Sequence, residues 1–260
     1  MIGALAGDII GSIYEHYPIK KVDFPLFSSQ SGFTDDTVMS LAVARALLGG
    51  GDYGREMKTL GRRYPNAGYG GNFYHWLFEE EIKPYHSWGN GSAMRVSSIG
   101  FFFDTEEEVL KEARATSMVS HNHPEGIKGA QSVALAITLA RGGASKEDIR
   151  GKLEADFGYD LNRTVEEIRP EYLFDVSCQG SVPEAIIAFL DSSDYESAVR
   201  LAVSLGGDAD TQACIAGGIA EAYYGGVPNE IKKEVKARLP DDLLAILEDF
   251  ENRPPRLPPR

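Results

Sequence analysis

The chain has 260 residues, of which 43% are hydrophobic and 25% charged, and a formal net charge of −13. That composition is ordinary for a soluble globular protein with a substantial core, and an acidic balance without a basic stripe excludes generic nucleic-acid backbone binding. Two cysteines, Cys178 and Cys214, make no disulfide framework, no apolar run reaches the ~18 residues that span a bilayer, and the opening MIGALAGDIIGSIYEH lacks the basic segment of a secretory signal. A reducing, cytoplasmic location without membrane attachment is expected, with the chain acting as a monomer.

Hydrophobic spacing is helical along most of the chain, which predicts an all-α fold. Residues 2–14 read as a buried helix rich in Gly and Ala. Residues 36–48 follow an acidic cluster, and 54–64 and 72–80 are short helices. Residues 105–119 open with Thr105 and Glu108 in capping-box spacing. Residues 125–140 run from Pro124 to the stop at Gly142 and Gly143, and Ser145 with Asp148 opens another short helix. Residues 181–191, 194–205, 211–224, 229–238 and 241–250 complete the set. Only TVEEIRPEYLFDVS (164–177) admits a short extended piece. No linker divides residues 1–250, which are expected to form one domain; 251–260 is a Pro- and Arg-rich tail. The loops YPNAGYGGNFY (64–74) and PYHSWGNGS (84–92) combine Gly with aromatics, which suits binding loops or lids packed on the core.

Two acidic clusters stand out. Thr34, Asp35 and Asp36 precede the run VMSLAVARALL; Asp208, Asp210 and Thr211 precede QACIAGGIAEAYYGG. Each places two carboxylates and a hydroxyl at a helix start, where free N–H groups and the dipole favour negative charge. One such cluster alone reads as a capped helix. Two together exceed what caps use and would repel without a cation; joined in space they make an oxygen cage suited to Mg2+ or Mn2+. Gly206 and Gly207 before Asp208 imply backbone packed too closely for side chains. In the first helix Asp8 and Glu15 lie seven apart, hence on one face. Asp8 reads as a hydrogen-bonded core polar group, and Glu15 either as an exposed helix end or as a general base at a metal site.

The segment WGNGSAMRVSSIG (88–100) leads from Gly89, Asn90, Gly91 and Ser92 into an apolar helix, offering backbone N–H groups to an anion. Arg95 in its first turn adds a guanidinium suited to phosphate or carboxylate. SHNHPEG (120–126) holds His121 and His123 without a third soft ligand, so a helix cap or a phosphate donor fits better than zinc.

Taken together, GDIIGSIYE, GFTDDTVM, GNGSAMR, SHNHPEG and GGDADTQACIAGGIAEAYYG closely resemble the ADP-ribosylglycohydrolase family, which includes the dinitrogen-reductase-activating glycohydrolase and the eukaryotic ADP-ribosyl-acceptor hydrolases. The motifs occur in the expected order across nearly the whole chain. The resemblance implies a compact orthogonal multi-helix fold, two divalent cations, Mg2+ or Mn2+, and cleavage of the glycosidic bond between ADP-ribose and a protein or small-molecule acceptor. By motif, Thr34, Asp35, Asp36, Asp208, Asp210 and Thr211 are the implied metal ligands, and Glu15, Asp36 and Asp210 the catalytic group. Asn90, Gly91, Ser92, Met94 and His121 are the implied substrate contacts; Ser120 stands where the family usually has Thr. A dinuclear metallo-phosphohydrolase and a non-catalytic relative, like the family's lens crystallin member, are the competing readings.

Overall fold

The computed structural model describes residues 1–253; the predicted tail lies outside them from residue 254 onward. Among the described residues the secondary structure is helical, with no strand. In chain order the helices are α1 (Ile2–His16), α2 (Asp35–Gly49), α3 (Tyr53–Arg63), α4 (Gly71–Phe78), α5 (Ser97–Phe102), α6 (Glu106–Met118), α7 (Pro124–Arg141) and α8 (Lys146–Phe157). There follow α9 (Val165–Ile168), α10 (Cys178–Leu190), α11 (Tyr195–Ser204), α12 (Ala209–Tyr223), α13 (Asn229–Arg238) and α14 (Asp241–Glu251). No helix among the described residues is long and apolar enough to cross a membrane.

The elements form where local chemistry asks for them. Thr105 caps α6 by accepting from the Glu108 amide, and Ser145 with Asp148 closes a full capping box on α8. His123 caps α7, accepting at Nδ1 from the Glu125 amide at 3.1 Å, so the cap reading of that His pair holds for His123. Two stretches differ from the sequence expectation. Residues 164–177 contain a helical turn, α9, because Thr164 and Glu167 form a second capping box; the extended character is confined to an isolated antiparallel bridge between Gly89 and Ser177. The segment after Gly89 makes a 3-10 turn, Asn90–Ser92, and α5 begins only at Ser97. Arg95 therefore precedes that helix rather than occupying its first turn.

The centre of the molecule is the crossing of α1 and α12. Every residue from Ile2 to Gly11 and from Ala209 to Ala220 is buried, as expected of helices apolar on all sides. The two run antiparallel at a distance only small residues permit. A Cβ at Gly3 would stand 2.7 Å from the Gly217 carbonyl oxygen, one at Gly7 2.0 Å from that of Ala213, and one at Gly11 2.5 Å from that of Ala209. The four-residue spacing of the glycines keeps them on one face. Glu221 of α12 accepts from the Gly3 amide at 2.8 Å, supplying the cap α1 lacks. Helices α7, α10 and α11 pack around α12, and α2 closes the far side. The register carries a consequence for function: the C-terminal half of α1 is clamped beside the N-terminus of α12, which brings Glu15 to Asp208 and Asp210.

Candidate active site

The first acidic cluster is organised by Asp8. Thr34 caps α2, accepting from the Asp36 amide at 3.3 Å. Asp8 in turn accepts from the Thr34 amide at 3.0 Å, the Thr34 hydroxyl at 2.7 Å, the Thr37 amide at 3.0 Å and the Thr37 hydroxyl. One buried carboxylate thus ties the start of α2 to the middle of α1. The hydrogen-bonded reading of Asp8 holds, yet Asp8 also joins the acidic group, a role the sequence alone did not assign.

The second cluster begins at Gly206, whose φ of 67° is left-handed, and Gly207, where a Cβ would meet the Tyr172 ring at 2.4 Å. The tight backbone inferred from that glycine pair is present. Asp208 occupies the cap position of α12 but caps nothing with its side chain. It accepts instead from Asn90 Nδ2 at 2.7 Å. Asp210 accepts from the Thr211 amide at 2.9 Å, and the Thr211 hydroxyl donates to Asp36 Oδ2 at 3.2 Å.

The two clusters meet. Asp8, Asp36 and Asp210 each offer an oxygen within 4.8 Å of the others, as do Glu15, Asp208 and Asp210. Asp210 belongs to both sets. Among the described residues, none of the five aspartates Asp8, Asp35, Asp36, Asp208 and Asp210 pairs with a Lys or Arg, and Asp36 Oδ1 is buried with no hydrogen-bond partner. Burial first, then the neighbouring aspartates, pushes the Asp36 and Asp210 carboxyls well above the usual 3.8. Glu15 is raised as well, by burial and then by Asp208, with His16 opposing. Carboxylates held together without counter-cations, one of them with an orphaned oxygen, form a hard, all-oxygen donor set that fits a divalent metal.

Glu15, Asp36, Asp208 and Asp210 line a cleft of about 310 Å³, together with Asp35, Asn90, Gly91, Met94, His121 and Thr211. That volume falls in the range of small-molecule pockets, roughly 300–1,000 Å³. Both Gly- and aromatic-rich loops contribute walls: Gly68, Gly70, Asn72 and Phe73 from one, Tyr85, Ser87 and Gly89 from the other. Four further expected residues are held by the surrounding fold in different ways. Ser92 is fully buried and donates to the Gly126 carbonyl at 2.7 Å, so its hydroxyl braces the start of α7. The Thr34 hydroxyl donates to Asp8 Oδ1 at 2.7 Å and accepts from the Asp36 amide. Asp35 reaches the cleft wall but falls outside both carboxylate sets. Arg95, expected to meet a phosphate or carboxylate, is wholly buried and donates to the Thr116 carbonyl at 2.7 Å and the Ser120 hydroxyl at 3.1 Å. Asn90 lines the cleft, with its amide nitrogen held between Asp208 and Ser181.

The all-helical fold with a carboxylate-rich cleft at its central crossing is that of a hydrolase. The profile of the ADP-ribosylglycohydrolase family matches residues 1–257, and the chain belongs to that family. Human ADP-ribosylhydrolase ARH3 is 27% identical, the match covering 94% of this chain and 90% of ARH3. The ADP-ribosylarginine hydrolase Tri1 of Pseudomonas putida (strain GB-1) is also 27% identical, over 90% of this chain and 72% of Tri1. A solved chain described as an ADP-ribosylglycohydrolase-related protein complex shares the fold at a TM-score of 0.72 and 27% identity, covering 95% of both chains.

Proposed function

We propose that this protein hydrolyses the glycosidic bond between ADP-ribose and an acceptor, a protein side chain or a small molecule, and releases ADP-ribose. The observation that carries the reading is the meeting of two sequence-distant acidic clusters at Asp210, without counter-cations, in a cleft walled by Gly91, Met94 and His121. Family membership and the activity in the names of ARH3 and Tri1 support it.

The cofactors of this reading are two divalent cations, Mg2+ or Mn2+, held by Asp36, Asp208, Asp210 and Thr211, with Thr34 and Asp35 at their margin. When bound they supply positive charge that offsets the carboxylates and orients the ribose hydroxyls. The residues do the rest. Glu15 is part exposed at the cleft mouth, and its raised carboxyl suits a proton acceptor for an attacking water. Leaving-group departure builds oxocarbenium character on the ribose, which a ring of carboxylates stabilises. Asn90 holds Asp208 in place, Gly91 leaves room for the substrate backbone, and His121 offers a donor from the opposite wall.

The test is a panel of ADP-ribosylated arginine, serine, nucleic-acid-end and small-molecule acceptors incubated with Mg2+ or Mn2+, with products weighed by mass spectrometry. Free ADP-ribose with intact acceptor is the expected result. AMP and ribose phosphate would identify a phosphohydrolase instead, and no turnover on any acceptor would overturn the enzymatic reading.

A further inference from the structure

Arg95 is a buried cation with no carboxylate partner, set at the base of the cleft. Its Nε and Nη1 are covered and unpartnered, so it does not reach a ligand directly. What it reaches is Ser120. Nη2 donates to the Ser120 hydroxyl at 3.1 Å, and a guanidinium only donates, so the hydroxyl oxygen is the acceptor there. The same oxygen lies 2.8 Å from His121 Nδ1. Among the described residues no other acceptor lies within reach of the hydroxyl proton, which therefore goes to Nδ1. A neutral imidazole that accepts at Nδ1 carries its own proton on Nε2.

The Nε2 side of the ring faces the cleft. It stands 3.1 Å from where a Cβ on Gly91 would sit and 3.6 Å from one on Gly89, and neither residue has one. The Tyr85 ring at 5.6 Å and the Phe73 ring at 5.9 Å flank the imidazole, which opposes the ring flip that would exchange the two nitrogens. We propose that Arg95 and Ser120 are positioning residues that fix His121 in its Nε2–H tautomer, making it an obligate donor to an oxygen of the bound substrate. Burial, and then the Arg95 charge, holds His121 well below the usual 6.5, in keeping with a neutral ring. The opposite tautomer would aim a lone pair at the same substrate oxygen and repel it. The relay is a property of the free protein; its purpose rests on the ADP-ribose reading above.

The experiment separates the two. Long-range 1H–15N correlation of 15N-histidine-labelled protein, with the His121 signals assigned by loss in His121→Gln, reads the tautomer without substrate. A protonated Nε2 and an accepting Nδ1 are expected in the wild type. Ser120→Ala should shift His121 toward the Nδ1–H form, whereas Ser120→Thr, which keeps the hydroxyl, should preserve Nε2–H. In parallel, ADP-ribose affinity should fall about five- to tenfold in Ser120→Ala, the scale of one net hydrogen bond, and recover in Ser120→Thr, with the change falling on KM more than on kcat. A wild-type His121 protonated at Nδ1, or a Ser120→Ala variant with unchanged tautomer, overturns the relay. A wild type with the expected tautomer that does not bind ADP-ribose upholds the relay and overturns the ligand assignment.

Discussion

Thr211 Oγ1 donates to Asp36 Oδ2 across 3.2 Å of space and 175 positions of chain. The bond joins the first turn of α12 to the first turn of α2 and satisfies one Asp36 oxygen. The other, Oδ1, is left buried and bare. A bare buried carboxylate oxygen is costly in a protein interior, and the Asp36 carboxylate also places an oxygen within 4.8 Å of one from Asp8 and one from Asp210, which sharpens the cost. A divalent cation bound there would relieve all three at once.

Metal analysis of protein equilibrated with Mn2+ or Mg2+ and freed of excess ion should therefore find close to two cations per chain. Asp36→Ala and Asp210→Ala should each lose at least one, and Asp210→Ala should lose more because Asp210 belongs to both carboxylate sets. Unchanged content in both variants would mean that the carboxylates hold no metal.

Stability should depend on pH in opposite senses with and without metal. The Asp36 and Asp210 carboxyls are raised above the usual 3.8 in the folded chain. The folded state thus binds protons that the unfolded state has already released, and its stability falls as pH rises from about 4 through the raised values. In EDTA the melting temperature should drop from mildly acidic to neutral pH. In Mn2+ it should rise over that interval, since ligands bind metal only when deprotonated. At metal concentrations about 100-fold above Kd the stabilisation is roughly 2.7 kcal/mol, several degrees in a melt. Parallel curves with and without metal would contradict the assignment.

Much of this was legible in the sequence, for physical reasons. Helical periodicity exposed the architecture because most helices bury one apolar stripe or are apolar throughout. The two acidic clusters were visible because each carries more carboxylates than a cap uses. Asp8 was half legible. Its burial on an apolar helix predicted a hydrogen-bonded group, but its four bonds to Thr34 and Thr37 depend on the meeting of α1 and α2, which no local pattern encodes. Ser92 and Arg95 show the opposite case: the Gly-rich turn around them suggested ligand contacts, whereas tertiary packing turned both inward, Ser92 to Gly126 and Arg95 to Ser120. The α9 turn was within reach, since Thr164 and Glu167 have capping-box spacing, yet the β-branched and aromatic residues around them favoured an extended reading.

The α1–α12 crossing should be intolerant of any added atom. Gly11→Ala places a methyl 2.5 Å from the Ala209 carbonyl oxygen, and backbone cannot yield as a flexible side chain does. Overpacking of this kind costs about 1–3 kcal/mol or more. Because the helices must part where Glu15 faces Asp208 and Asp210, metal affinity should fall together with the melting temperature. Gly151→Ala, on α8 with open space around it, is the control: it should leave metal affinity unchanged and, by helix propensity, raise the melting temperature slightly. A Gly11→Ala protein with wild-type metal affinity would show that the crossing does not set the geometry of the site.

Glu15→Gln separates proton transfer from binding. Glu15 sits at the end of α1 with its side chain 29% exposed, close to Asp208 and Asp210, where solvent can enter and a carboxylate can take a proton from it. Gln is nearly isosteric and still hydrogen-bonds, yet it accepts no proton at neutral pH. The variant should bind ADP-ribose with affinity close to wild type and retain most of its metal, because Asp8, Asp36, Asp208 and Asp210 remain. Its single-turnover rate of ADP-ribose release should fall by ~10²–10⁴, the usual loss on removing a general base. Loss of metal together with activity would make Glu15 a ligand rather than a base. Wild-type turnover would make it a bystander and leave proton transfer to an aspartate of the two clusters, of which Asp208, raised by burial and held by Asn90, is the nearest candidate.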